Sequence, residues 1–159
     1  SVPVVTVRPF NTFGPRQSAR AVIPTIITQV LARQSIRLGN LETTRDFTYV
    51  DDTVSGFLCA AQKEGIEGMT FNLGTGSEIA IGVLARTIIE KIGVPVSVEL
   101  DQERLRPEGS EVMRLLSDNS RARSQLGWRP EVGLDEGLNR TIAWIRENLG
   151  NYRIGVYEL

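Results

Sequence analysis

The sequence predicts an α/β fold built as one domain, and three observations carry that expectation. Short apolar runs at Val4, Val5, Thr6 and Val7 and at 69–73 have the length and residue types of buried strands. Longer stretches at 21–33, 54–61 and 81–92 place apolar residues at helical spacing. Polar segments punctuated by glycine and proline separate the two kinds, so strands and helices follow one another along the chain.

Bulk properties narrow the function. A chain of 159 residues buries roughly 70% of its unfolded surface as one domain. Its 41% hydrophobic and 23% charged content are ordinary for a soluble globular protein. A net charge of −1 argues against a nucleic acid or an anionic membrane as a partner attracted by bulk charge, and leaves room for a local anion site. No signal peptide, transmembrane run, repeat or low-complexity segment is evident. One cysteine excludes an internal disulfide, and Cys59 sits in an apolar helical pattern, as expected for a small core residue of a reduced, cytoplasmic protein. The absence of histidine removes histidine triads, the commonest metal ligand and the neutral-pH proton shuttle together. Lysine is scarce, with Lys63 and Lys91 against sixteen arginines. The chain opens on Ser1 inside strand-like sequence, as a fragment would.

Taken in order, 4–7 reads as a fully buried strand, and Pro9, Asn11, Gly14 and Pro15 turn the chain into an ordered loop. Loops at the carboxyl ends of such strands are where open α/β sheets bind ligands. Arg8 and Arg16 either meet an anion there or are solvated. Over 21–33, Val22, Ile23, Ile26, Ile27, Val30 and Leu31 form one helix face, with Pro24 in the tolerant first turn. Ile36, Arg37 and Leu38 form a short strand ending at Gly39, and 40–44 is a polar turn. From Arg45 an alternating strand puts Arg45, Phe47 and Tyr49 on one face. A guanidinium beside two rings suits a phosphate and a flat group, and a surface arginine on an edge strand is the alternative.

Asp51 and Asp52 read as a helix cap rather than a metal pair. The helix they open carries Val54, Phe57, Leu58 and Ala61 on one face and ends at 63–65, and 69–73 is a buried strand. Gly74, Thr75, Gly76 and Ser77 complete no phosphate-loop pattern and read as a tight strand-to-helix turn. Ile81, Leu84, Ala85, Ile88 and Ile92 mark a helix that stops at Gly93, with Pro95 beyond. Val96, Val98 and Leu100 alternate as a half-exposed strand, and 104–112 is a charged loop. Asp118 is the expected N-cap of a helix ending at Gly127, and Trp128 is expected to pack. The last helix carries Leu134, Leu138, Ile142, Ile145 and Leu149 with Trp144 beside them, and 151–159 is a tail.

Five segments carry a family resemblance. Arg8-Pro9-Phe10-Asn11-Thr12-Phe13-Gly14-Pro15-Arg16-Gln17 resembles the Arg-x-x-Asn-x-Tyr-Gly-Pro segment of the NAD-dependent epimerase/dehydratase family, the extended short-chain dehydrogenases that modify nucleotide sugars. Arg45-Asp46-Phe47-Thr48-Tyr49-Val50-Asp51-Asp52 resembles the family's Arg-Asp-aromatic-x-x-Val-x-Asp block, and Asn72-Leu73-Gly74-Thr75-Gly76 matches its Asn-Leu-Gly-Thr-Gly turn. Arg106-Pro107 followed by Glu108-Gly109-Ser110-Glu111 is similar to its Arg-Pro-Gly-Asp loop, with a departure that leaves Arg104 as a reserve for Arg106. Asp118 to Pro130 resembles a structural Asp-x-Ser-Lys-Ala-x-x-x-Leu-Gly-Trp-x-Pro block.

The resemblance implies the C-terminal part of a Rossmann-type enzyme, with 1–17 belonging to the dinucleotide-binding sheet and 18–159 mostly to a small substrate-binding α/β subdomain. It implies NAD as cofactor, bound mainly by an absent N-terminal half, with Pro9 and Phe10 beside the nicotinamide. The partner it implies is a nucleotide diphosphate sugar, and the full-length form is expected to be a homodimer. Asn11 would meet the sugar diphosphate, Ala21, Val22 and Leu38 the base, Arg45 and Arg106 the diphosphate, and Phe47 would pack beside it. Phe13 stands where the family commonly has tyrosine. The family's catalytic Tyr-x-x-x-Lys is missing, because Tyr49 and Tyr152 have Thr53 and Val156 four residues on and Tyr157 lies too near the end. The chain alone is therefore expected to be inactive. The implied reaction is 4,6-dehydration or 4-epimerisation, and the run from Arg16-Gln17-Ser18-Ala19-Arg20 to Pro24, with Arg106-Pro107-Glu108-x-Ser110-Glu111-Val112, looks more like the dehydratase branch acting on amino-sugar nucleotides. A non-catalytic nucleotide-binding relative is the alternative.

Overall fold

The computed structural model describes residues 2–105, 109–152 and 154. Its strands are β1 (Thr6–Pro9), β2 (Asn11–Phe13), β3 (Ile36–Leu38), β4 (Thr44–Arg45), β5 (Phe47–Tyr49), β6 (Thr70–Leu73), β7 (Ile79–Ala80), β8 (Val98–Leu100) and β9 (Arg114–Leu115). The helices are α1 (Val22–Leu31), α2 (Val50–Gln62), α3 (Ile81–Ile92) and α4 (Leu134–Glu147). Single turns at Gln102–Arg104, Ala122–Leu126 and Leu149–Asn151 complete the chain.

The strands form small ladders. β1 pairs with β6, β2 with β5 and β3 with β8, all parallel, while β4 lies between antiparallel β7 and parallel β9. Parallel pairing of strands this short is stable only with helices covering them, because two-residue and three-residue ladders bury little on their own. α1 supplies that cover over the main core, and α2 lies against β1. The α1 residues Ile23 to Val30 are buried, and α1 packs on both α3 and α4. Ile26, Ile27 and Val30 of α1, Leu84 and Ile88 of α3, and Leu138 and Ile145 of α4 are fully enclosed in the main core. A second, smaller core of Ile66, Phe71, Leu73, Ala122 and Trp128 lies under β6, with Val5, Val7 and the half-buried Cys59 against it.

The helices follow the sequence expectation at α1, α3 and α4. Gly93 ends α3 in the left-handed region with φ 76°, which glycine adopts without the steric penalty of a side chain. Asp118 accepts a hydrogen bond from Ser120 N–H at 3.0 Å, and Gly127 closes the following turn at φ 68°. That turn is π-helical over Ala122–Leu126. Trp128 is buried as expected, its indole N–H shared between Asp52 O and Ser55 Oγ at 3.0 Å each. α4 ends at Glu147, so Leu149 begins a separate turn while still packing on the main core.

Five expectations are corrected. The first strand starts at Thr6 rather than Val4 and is not fully buried, with Val4 57% exposed, because β6 is its one ladder neighbour among the described residues. The loop expected after Pro9 contains β2, which the ladder with β5 stabilises despite its polar residues. The strand expected through Arg45, Phe47 and Tyr49 is two strands in separate ladders, parted at Asp46, and Phe47, Thr48 and Tyr49 are all buried. Asp51 and Asp52 occupy the first turn of α2 instead of capping it, and Asp52 accepts the N–H groups of Glu131 and Val132 at 2.9 and 3.0 Å. The apolar stripe of α2 faces outward, with Val54, Phe57 and Leu58 exposed, while Thr53, Gly56 and Ala60 face inward. Close packing selects the small residues: a Cβ on Gly56 would lie 2.5 Å from Leu73 Cδ1.

Candidate functional site

The carboxyl ends of β3 and β4, the amino ends of β2 and β5 and the first turns of α1 and α3 enclose a cavity of about 290 Å³. Asn11, Val22, Leu38, Arg45 and Phe47 line it, so five of the residues singled out from the sequence meet in one place. Arg104, the reserve arginine, lines it as well. Ala21 is the residue flanking α1 at its N-terminus, next to Val22, and is not in the wall. Pro9 and Phe10 lie at the end of β1 outside this cavity. Arg106 lies outside the described residues. Tyr49 does not share the Arg45 surface. Its ring packs edge-on against Phe13 with centroids 5.6 Å apart, and the Arg140 guanidinium sits 5.6 Å from its centre.

Each wall residue is held by a local cause. Arg45 ends β4, and its Nη1 donates to Thr44 O at 2.8 Å and Val112 O at 2.7 Å. Its Nη2 meets the Glu111 carboxylate at 3.2 Å. Arg104 Nε donates to Asp101 Oδ2 at 3.1 Å, and Asp101 caps its own turn by accepting Glu103 N–H. The segment carrying Arg104 comes close to β3 because residue 39 has no side chain: a Cβ on Gly39 would stand 2.6 Å from Arg104 O. Asn11 Nδ2 donates to Asp46 O at 3.1 Å. Thr25 Oγ1 lies within 2.6 and 2.8 Å of Ala19 O and Ala21 O and secures the entry to α1.

Asp46 is the residue the sequence reading passed over. It is fully buried and accepts Thr75 N–H at 2.9 Å, Thr75 O–H at 2.6 Å, Gly76 N–H at 2.9 Å and Ser117 N–H at 3.2 Å. Thr75 and Gly76 thus spend their N–H donors on this carboxylate, so those donors do not face a phosphate. A second cavity of about 320 Å³ lies across the Phe47 ring, walled by Thr75, Ser77, Glu78, Val132 and Leu134. At its edge Glu78 accepts Arg114 Nε at 2.7 and 2.9 Å and Thr44 O–H at 2.6 Å, and these hydrogen bonds, Arg114 first, hold the Glu78 carboxyl below its usual range.

Arg20, Thr25 and Glu111 also belong to the first cavity and were missed in the sequence. Glu111 stood inside a loop whose register was uncertain, and Thr25 looked like part of a helix face. The wall carries three arginines, Arg20, Arg45 and Arg104, and the carboxylate of Glu111, while Asp101, outside the wall, pairs with Arg104. Such a wall attracts an anion, and the apolar Val22 and Leu38 opposite it suit a flat, less polar group. Among the described residues no group of three or more histidine, cysteine, aspartate or glutamate side chains gathers to hold a metal, and no helix is long and apolar enough to cross a membrane.

Comparison with known proteins places this geometry. The profile of the family described as GDP-mannose 4,6 dehydratase matches residues 1–141. The chain is 35% identical over 144 residues to UDP-glucose 4-epimerase of Mycolicibacterium smegmatis, covering 88% of this chain and 44% of that protein. It is 33% identical over 157 residues to dTDP-D-glucose 4,6-dehydratase of Homo sapiens, covering 95% and 44%. Among solved structures, UDP-glucose 4-epimerase from Thermotoga maritima with UDP-glucose superposes with a TM-score of 0.84 at 29% identity, over 93% of this chain and 47% of that one. An epimerase from Methanothermobacter thermautotrophicus gives 0.85 at 33%, over 94% and 45%. The chain spans less than half the length of the relatives it matches. The α/β architecture is therefore part of a Rossmann-type fold, and the chain belongs to the NAD-dependent epimerase/dehydratase family.

Proposed function

We propose that the Arg45 cavity binds a nucleotide diphosphate sugar, and that this chain is the substrate-binding portion of a sugar-nucleotide 4,6-dehydratase or 4-epimerase. The observation that carries the reading is the wall itself. Arg20, Arg45 and Arg104 supply the charge a diphosphate requires, Asn11 sits beside them, and Val22 and Leu38 offer the apolar surface a base requires, all around about 290 Å³. Leu38 ends β3, so the base would also meet backbone at that strand end, which explains why side chains say little about its identity.

NAD, as the resemblance implies, would supply the hydride acceptor for C4 of the hexose. Pro9 is exposed and Phe10 half-buried at the carboxyl end of β1, where a flat cofactor ring fits against them. Since the N–H groups of Thr75 and Gly76 are taken by Asp46, this chain offers the cofactor a wall rather than a phosphate cradle. Most of the cofactor site and the tyrosine–lysine pair would then come from additional chain. One side of α2 together with β1 supports that arrangement: Val5, Val7, Phe57, Ala60 and Ala61, with Lys63 and Glu67, line an open hollow of about 710 Å³. Further strands and helices of the dinucleotide-binding sheet would cover it. In this reading the chain alone binds nucleotide sugar without turning it over.

The test is calorimetric titration of UDP-glucose and dTDP-glucose into the chain and its Arg45→Ala variant. The variant binds more weakly by ~1.5–3 kcal/mol, the scale of a hydrogen bond to a charged group. Unchanged affinity would remove Arg45 from the site.

A further inference from the structure

We propose that Glu111 is a placeholder for phosphate: it occupies Arg45 in the empty site, and a diphosphate binds by displacing it. This rests on the diphosphate reading of the cavity and adds to it a residue that sets affinity and selects for charge. Both side chains line the same cavity. Arg45 does not depend on Glu111 for its aim, because the two Nη1 hydrogens are already given to Thr44 O and Val112 O at 2.8 and 2.7 Å. The carboxylate contact is a single bond from Nη2 at 3.2 Å, long for a charge-assisted pair.

The other arginine–carboxylate pair nearby shows what a structural bond looks like in this fold. Arg114 grips Glu78 through Nε at 2.7 and 2.9 Å and Nη2 at 2.7 Å, and Glu78 also takes Thr44 O–H. Asp101 likewise has a second task in its turn, and Asp46 has four donors. Glu111 has Arg45 as its one partner among the described residues. The side chains of Arg45 and Glu111 are 15% and 19% exposed, so solvent and a ligand reach the pair while burial still makes an uncompensated guanidinium unfavourable.

Those facts give the carboxylate one coherent role. It neutralises Arg45 when no ligand is present, and a diphosphate, with more charge and more acceptor oxygens, replaces it. Val112 O keeps its hold on Arg45 as the neighbouring carboxylate leaves. A singly charged anion gains too little to make the exchange, so Glu111 reserves the site for phosphates.

Titrating inorganic pyrophosphate and UDP into the chain and into Glu111→Gln tests this. Glutamine keeps the size and the acceptor and removes the charge. The variant binds both ligands about fivefold more tightly or better, as expected from removing a partly exposed ion pair that binding must break. Equal or weaker pyrophosphate binding by the variant overturns the proposal and makes Glu111 a support for Arg45. Tighter pyrophosphate with weaker UDP overturns it too, assigning Glu111 to the ribose hydroxyls. If neither protein binds either ligand, the diphosphate reading falls along with the placeholder.

Discussion

Asp46 does more to assemble the site than any of the three arginines that would touch a ligand. Its backbone carbonyl holds Asn11, and its carboxylate joins the Thr75–Gly76 turn to Ser117. Asp46→Asn would place an amide NH₂ against N–H donors in a fully buried setting, so two of the existing hydrogen bonds become donor-to-donor contacts. The expected cost is about 2–4 kcal/mol of stability, measured by urea unfolding. A loss under about 0.5 kcal/mol would show that water or a rotated side chain replaces the carboxylate. The sequence displayed Arg45 and hid Asp46 for a physical reason. An arginine in a strand is conspicuous for its charge, whereas the burial of the aspartate beside it depends on two distant turns closing over it. Glu111 was hidden similarly, since its meaning comes from a partner 66 residues away.

At the scale of elements, legibility follows length. α1, α3 and α4 repeat their apolar spacing over several turns, and each lies where its stripe put it, with Gly93 ending α3. β2 and the break between β4 and β5 were not legible, because strands of two or three residues have no period to read and exist through pairing with distant partners. The β7–β4–β9 ladder is a case where side chains reinforce such pairing. Glu78 precedes β7, Thr44 lies in β4 and Arg114 in β9, so one carboxylate bridges all three strands. Arg114, then Thr44, hold its carboxyl below the ordinary 4.5. A lowered value in the folded state means that this contribution is fully present above pH 4.5 and is lost as pH falls through the lowered value. Thermal melts of the chain and Glu78→Gln should therefore differ most near neutrality and converge in acid. A gap that widens toward acid would contradict this assignment.

At the scale of the whole molecule, the fold class was legible because alternating strands and helices and the family motifs survive any error in a boundary. Burial at the ends of the sheet was not, since it depends on what lies against a strand rather than on the strand. Val4 and the stripe of α2 read as core, yet Phe57 is 45% and Leu58 56% exposed. The same sequence pattern is consistent with a core face that more chain completes, and that gives the proposal of a covered face a direct test. In this chain Phe57 is already 45% exposed, so Phe57→Glu removes only part of its packing and unfolding free energy should change by about 1 kcal/mol or less. In a longer protein carrying the rest of the length found in its relatives, the same carboxylate would be buried against apolar strands and helices. There the loss should reach about 2 kcal/mol or more, as unpaired charge and lost packing act together. Denaturant unfolding of the two proteins, each with and without the substitution, gives both numbers. Equally small losses in both would mean that α2 faces solvent in the longer protein as well, and the dinucleotide-binding part would have to join the chain through another surface.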